Sequence, residues 1–271
     1  MMNVSETYPK TMKKNTKQDR EDELTPAIEV DTLSKSFIVG TQEIPVLKNV
    51  SLKIEEGDFT VIFGPSGCGK STLLHSILGL EEPTRGTLKF FGNDLYKGTT
   101  EDDRATFRKK TIGMVFQQSN WIKSLNVKEN VAFPLTLIGV EDSVSQEQAR
   151  GVLTQVGMVQ WADYIPTELS FGQQQRVSLA RALIHNPQVI IADEPTGNLD
   201  YEAGQQMMQL LFDLNKEFRK TVIMVTHDLE YLHFANHIVQ VFDGEIIGTY
   251  RGKERDHLLK ELTFKKGTLG K

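Results

Sequence analysis

Short apolar runs alternate with helical patterns from Ala27 to about Tyr250. Residues 58–63 predict a strand, and residues 72–78 predict the helix after it. Residues 189–192 and 221–225 predict two further strands, apolar enough to be buried. Between those two, Met207, Leu210, Leu211, Leu214 and Phe218 recur at helical spacing and mark one face of an amphipathic helix. Such alternation points to an α/β fold with a largely parallel sheet covered by helices. Residues 120–167 lack clear strands and read as a helical insertion.

The two ends of the chain break the pattern. Residues 1 to about 26 carry five basic and five acidic side chains and little to bury, which predicts a disordered tail ending near Pro26. Residues 251–271 hold seven basic and three acidic residues. They read as a basic, solvated tail, with contact to anionic lipid as the alternative.

Composition narrows the class. The chain has 271 residues, enough for one large α/β domain or two small ones. With 31 basic and 36 acidic residues its formal net charge is −5, which excludes a generally basic nucleic-acid binder but not a local patch. Cys68 is the single cysteine, so no intramolecular disulfide forms and a reducing compartment is expected. The longest apolar runs are strand-sized, far short of the roughly 18 to 20 residues of a membrane span. The polar N-terminus has no apolar signal core. A soluble protein is expected, with any membrane role supplied by a partner.

Gly64-Pro-Ser-Gly-Cys-Gly-Lys-Ser71 matches G-x-x-x-x-G-K-[ST] between a predicted strand and a predicted helix. Glycines let backbone N–H groups converge on phosphate oxygens, and the helix N-terminus adds partial positive charge. The candidate nucleotide contacts are Gly64, Pro65, Ser66, Gly67, Cys68, Gly69, Lys70, Ser71 and Thr72. Lys70 is expected to reach the β- and γ-phosphates, and the Ser71 hydroxyl to ligate Mg²⁺. Cys68 reads as a small residue filling the loop.

Residues 189–194, Val-Ile-Ile-Ala-Asp-Glu, form an apolar strand ending in two adjacent carboxylates. Asp193 is placed to hold Mg²⁺, and Glu194 to polarise an attacking water. His227, after the strand 221–225, is a candidate for the γ-phosphate and for orienting that water.

Leu169-Ser-Phe-Gly-Gln173, followed by Gln-Gln-Arg-Val-Ser-Leu-Ala-Arg-Ala, resembles the signature of the ABC ATPases, usually Leu-Ser-Gly-Gly-Gln, at the start of a helix. Val177, Ala180 and Ile184 give that helix an apolar face, and Pro187 falls just beyond it. The resemblance covers roughly residues 27–250. It implies a P-loop fold with an antiparallel β subdomain and an inserted helical subdomain at about 117–187. It further implies that Ser170, Phe171, Gly172 and Gln173 of one subunit face the γ-phosphate held by the other. Phe171 replaces the first signature glycine, and a positive φ there would cost about 1 kcal/mol or more.

Other positions follow the same family order. Phe37 matches the aromatic that stacks on adenine. Gln117 matches the glutamine that joins Mg²⁺ to the helical subdomain, and Asp200, in Asn-Leu-Asp, the loop that touches the partner's active site. Ala-Asp-Glu-Pro-Thr-Gly-Asn-Leu-Asp200 looks most like ATPases of lipoprotein-release, macrolide-export and cell-division complexes. That subgroup implies an ATP-hydrolysing homodimer on the cytoplasmic face of the membrane, beneath permease subunits and with no nucleic-acid partner. Docking is expected near Trp121–Phe133, with Trp121 as an anchor in a loop.

The alternatives are a soluble ABC ATPase acting on ribosomes or DNA, and a non-hydrolysing regulator. One ATPase unit, no heptad-patterned coiled coil between 117 and 168, and Glu194, His227 and Gln117 together weigh against them. Asn215-Lys-Glu-Phe lacks the aspartate of a guanine-reading motif and reads as solvated surface. His233 and His237 have zinc-compatible spacing but no third ligand.

Overall fold

The computed structural model describes residues 25–269, with side chains described through Thr263. The tail expected at the N-terminus lies outside the described residues except for Thr25 and Pro26. Two sheets organise the rest. Strands β1 (Ile28–Val39), β2 (Gln42–Ile54), β4 (Arg85–Phe90) and β5 (Asn93–Asp94) form an antiparallel sheet in the order β2-β1-β4-β5.

The second sheet runs β10-β9-β3-β8-β7-β6. It is built from β3 (Phe59–Phe63), β6 (Ile112–Val115), β7 (Val189–Asp193), β8 (Thr221–Thr226), β9 (His237–Phe242) and β10 (Glu245–Arg251). All neighbours in it pair in parallel except β10, which runs antiparallel along the β9 edge. Covalent order does not dictate this arrangement, because β8 inserts between β3 and β7.

Both faces of that sheet are buried, and alternation decides which core each residue joins. Phe59, Val61 and Phe63 of β3, with Ile190 and Ala192 of β7, enter the core shared with the helices. Ile62, Val189 and Ile191 point the other way, into the core shared with the antiparallel sheet. Helix α1 (Lys70–Ile77) packs on that second side through Leu73, Leu74 and Ile77. Helix α2 (Glu101–Thr111) precedes β6, while α3 (Val127–Thr136) and α4 (Asp142–Gln155) form the expected helical insertion. Helices α5 (Phe171–Leu183) and α6 (Tyr201–Phe218) flank β7 in sequence. On α6, Met207 and Leu211 of the predicted face are buried, Leu210 and Leu214 pack partly buried on the same core, and Met208, outside that face, is buried as well.

The basic stretch after Tyr250 is helix α7 (Gly252–Leu269), not a solvated tail, and Leu258, Leu259 and Leu262 pack on the core. Arg255 fastens it by donating to the carbonyls of Ala235 at 2.5 Å and His233 at 2.6 Å. The basic side chains dominate the composition, but the leucine spacing gives the helix a packing stripe. Asn215 is buried, not surface: its carboxamide donates to the carbonyls of Gly57 and Lys220 at 2.8 and 2.9 Å. Those bonds satisfy two carbonyls where the chain enters β3 and β8.

A polar cluster closes the bottom of the large sheet. The buried Asp58 carboxylate accepts from Arg251 at 2.6 and 3.0 Å, from Asn236 and from the Glu55 N–H. His237, fully buried beside it, lies 3.0 Å from the Arg251 guanidinium and 3.1 Å from the Thr60 hydroxyl. A guanidinium only donates, so Nδ1 accepts and Nε2 carries the ring proton. Burial and then the Arg251 charge push the His237 pKa down to about 4, with Asp58 opposing.

An unfolded histidine titrates near pH 6.5, so the unfolded chain binds the extra proton between about pH 6.5 and 4. Stability should therefore be complete above about pH 6.5 and fall by on the order of 3 kcal/mol towards pH 4. Urea midpoints at pH 7.5, 6 and 4.5 measure this slope, and His237→Gln should flatten it. An unchanged slope in the variant would contradict the assignment.

Candidate functional site

The phosphate loop lies between β3 and α1, as its motif requires. Gly67 and Gly69 hold φ of +78° and +101°, the left-handed region that a glycine enters without strain. At Gly64 a side chain would run into the Val241 carbonyl and the Cys68 sulfur, so the loop start is pinned against β9. Cys68 is buried and fills that space, as expected of it. The Gly244 N–H donates to the Cys68 carbonyl at 3.0 Å, so the β9–β10 turn braces the loop from outside. Lys70 is buried and donates to the Gly64 and Pro65 carbonyls, both at 2.8 Å. Its ammonium spans the concave side of the loop, while Ser71 stands exposed at the start of α1.

Strand register brings the remaining groups to the same level. Phe63 of β3 pairs with Thr226 of β8, and Val225 pairs with Asp193 of β7. Neighbouring strands lie about 4.8 Å apart. Gly64, His227 and Glu194 therefore leave three adjacent strand ends side by side. His227 Nδ1 sits 2.8 Å from one Glu194 carboxylate oxygen and 2.7 Å from the other.

Glu194 holds a φ of +47°, a strained conformation for a glutamate. Two backbone bonds fix it: its N–H to the Val225 carbonyl at 2.9 Å, and the Gly197 N–H to its own carbonyl at 3.0 Å. Burial, and then the adjacent Glu194 charge, raise the Asp193 carboxyl above its usual range, while His75 and Lys70 oppose the shift. The Asp193 carboxyl lies within electrostatic reach of Lys70, the residue before the exposed Ser71, and a carboxylate and a hydroxyl are oxygen ligands that suit a hard divalent cation.

Phe37 lies half-buried on β1, paired with Ile44 of β2, and the Lys35 ammonium sits 5.0 Å from its ring centre. Two residues past Ile44, Val46 packs against Gly69, which brings β1 and β2 to the loop's flank. Gln117 follows β6, and a side chain at Gly197 would collide with its carboxamide. It therefore reaches the turn that carries Glu194.

Ser170, Phe171, Gly172, Gln173 and Asp200 assemble separately, around a cleft of about 260 Å³. Ser170 caps α5: its Oγ accepts from the Gln173 N–H, and the Gln173 side chain accepts from the Ser170 N–H. Asp200 caps α6 by accepting from the Ala203 N–H at 2.8 Å. Phe171 opens α5 without a positive φ, so the expected backbone strain is absent, and the residue is 69% exposed. Phe171→Gly should accordingly relieve nothing and lower stability by less than about 1 kcal/mol in urea denaturation. A gain in stability would mean that the phenylalanine is strained.

Trp121 departs from expectation. It is half-buried and packed on the core, not a free loop anchor. Its indole N–H donates to Gln174 at 2.8 Å, and the Arg181 guanidinium lies 4.6 Å from its ring centre. Trp121→Ala is therefore expected to impair the subunit itself. Its surroundings, Gln174, Gln175 and Arg181, escaped sequence reasoning, although a cation amid the apolar positions of α5 is a visible signal. Leu137 and Ile138, exposed just after α3, were also missed.

Fold and site together define a P-loop ATPase. Residues 47–197 match the family described as ABC transporter, and the chain belongs to that family. It is 44% identical over 220 residues to an uncharacterized ABC transporter ATP-binding protein of Methanocaldococcus jannaschii, covering 81% of this chain and 97% of the relative. A macrolide export ATP-binding/permease protein of Syntrophobacter fumaroxidans is 42% identical over 221 residues, but the match spans 31% of that protein's length and 81% of this chain. Among solved structures, a dimeric ATP-binding cassette in a post-hydrolysis state with ADP and Pi aligns with a TM-score of 0.77. It is 38% identical over 83% of this chain and 98% of the other. No described helix is long and apolar enough to cross a membrane.

Proposed function

We propose that two copies of this chain close over two ATP molecules, each bound between the phosphate loop of one copy and the Ser170–Gln173 helix start of the other. The observation that carries this reading is the division of the site. Glu194 and His227 meet at neighbouring strand ends and Lys70 folds back onto the loop that leaves a third, whereas Ser170 and Asp200 cap helices around a second, open cleft. A helix N-terminus presents unpaired N–H groups to an anion, and the γ-phosphate of a facing subunit is such an anion.

In this arrangement Lys70 neutralises β- and γ-phosphate charge, and Gly64 to Thr72 supply the cradle. Ser71, Asp193 and Gln117 hold Mg²⁺, which screens phosphate charge when bound. Glu194 accepts the proton of the attacking water, and His227 holds the Glu194 carboxylate in place and faces the γ-phosphate. Phe37 stacks on adenine.

Closure is transmitted to integral membrane subunits on the cytoplasmic side of the membrane. The subgroup resemblance and the macrolide-export relative favour a complex of the lipoprotein-release or export type. Ile122, Leu125 and Phe133, half-buried, and the exposed Leu137 and Ile138 offer the partner an apolar rim. Purifying the tagged full chain from detergent-solubilised membranes should recover a membrane protein in fixed ratio, and Leu137→Glu with Ile138→Glu should abolish recovery. Recovery only of ribosomes or DNA would overturn the transporter reading.

A further inference from the structure

Arg181, near the C-terminal end of α5, is half-buried against the segment that follows β6. Its guanidinium donates to the Ser119 carbonyl in a short bond and to the Asn120 carbonyl at 3.3 Å, and it lies over the Trp121 ring. None of these partners is a carboxylate. Burial lowers its pKa to about 10, so it remains charged at neutral pH. Keeping a cation from water without an acid partner costs solvation free energy that an apolar side chain of similar length would avoid. The carbonyls it grips converge because Asn120 holds a φ of +42°, a left-handed conformation that asparagine tolerates.

The same helix makes three further bonds to this segment. Trp121 donates to Gln174 at 2.8 Å, Ser119 donates to Gln175 at 3.2 Å, and Gln175 donates to the Phe116 carbonyl at 2.9 Å. Phe116 and Ser119 flank Gln117, so the backbone is tied to α5 on both sides of that glutamine. The Gln117 carboxamide in turn abuts Gly197, whose N–H is bonded to the Glu194 carbonyl. The chain of contacts runs from the helix that begins at Ser170 to the strained Glu194 turn.

We propose that Arg181 is a positioning residue: by clamping Ser119–Trp121 to α5 it sets where Gln117 meets the Glu194–Gly197 turn. The inference rests on the assignment of Gln117 to the hydrolytic set and adds to it a residue that acts through that glutamine.

Steady-state ATPase assays on the full chain test it with Arg181→Met, Gln117→Ala and the double variant. Arg181→Met should lower kcat about fivefold or more while KM for ATP stays within twofold. If it acts through Gln117, the double variant should be no slower than Gln117→Ala alone. In a Trp161→Phe background, Trp121 emission should shift to longer wavelength when its cationic cover is removed. The proposal is overturned if kcat stays within twofold, if the two single effects multiply in the double variant, or if kcat falls only in step with loss of folded protein. Wild-type rates for Gln117→Ala would remove the glutamine assignment itself, which a failure confined to Arg181→Met would leave standing. Should Arg181→Met not fold, Arg181→Lys is judged by the same criteria, because an ammonium keeps the charge but cannot grip two carbonyls and cover the indole together.

Discussion

Glu194→Gln should slow ATP hydrolysis by about 10² to 10⁴-fold, the range lost when a general base is removed, and leave ATP binding intact. The amide has the carboxylate's shape and keeps a hydrogen bond to His227, but it cannot accept the water's proton. The backbone strain at Glu194 is fixed by the Val225 and Gly197 bonds and so survives the substitution. Nucleotide then stays between two subunits that cannot release it by hydrolysis. Size-exclusion chromatography with Mg-ATP should show a persistent dimer for the variant and a transient one for the wild type. Wild-type turnover in the variant would remove Glu194 from its role.

The second large effect is expected at Gly64, where the fold leaves no room for even one methyl group. An alanine Cβ would enter the Val241 carbonyl and press on Cys68. Both neighbours are held, Val241 within β9 and Cys68 by its carbonyl bond to Gly244, so the loop has to move. Overpacking of this kind costs about 1 to 3 kcal/mol. Spent on displacing the N–H groups that face phosphate, that cost corresponds to a roughly tenfold to hundredfold loss of ATP affinity. Isothermal titration with ATP measures it directly, with circular dichroism confirming the fold. Undiminished affinity in a folded Gly64→Ala chain would show that the loop start does not bind phosphate.

What the sequence made legible was local. The glycine spacing around Lys70, the apolar strand ending at Asp193 and Glu194, and the Leu169–Gln173 signature each sit within a few consecutive residues. The first two follow from turn and strand chemistry, and the third from its likeness to a family signature. What stayed hidden depends on distant pairing. That β8 lies between β3 and β7, putting His227 against Glu194, is a matter of strand order that neither strand encodes by itself. Asn215 looks like one more polar helix residue until Gly57 and Lys220 present their carbonyls to it. Trp121 reads as an exposed aromatic because Gln174 and Arg181, which enclose it, lie more than fifty positions away. The C-terminal helix was obscured for a different reason: its basic residues outnumber the three leucines that dock it.

The central claim is that hydrolysis takes place between two copies of this chain. The most direct measurement is phosphate release per subunit at saturating Mg-ATP across a wide range of subunit concentration. Activity per subunit should rise with concentration in the dilute range and level off once dimers dominate. Activity per subunit that stays constant down to the lowest concentration, with the protein shown to be monomeric there, would contradict a shared site.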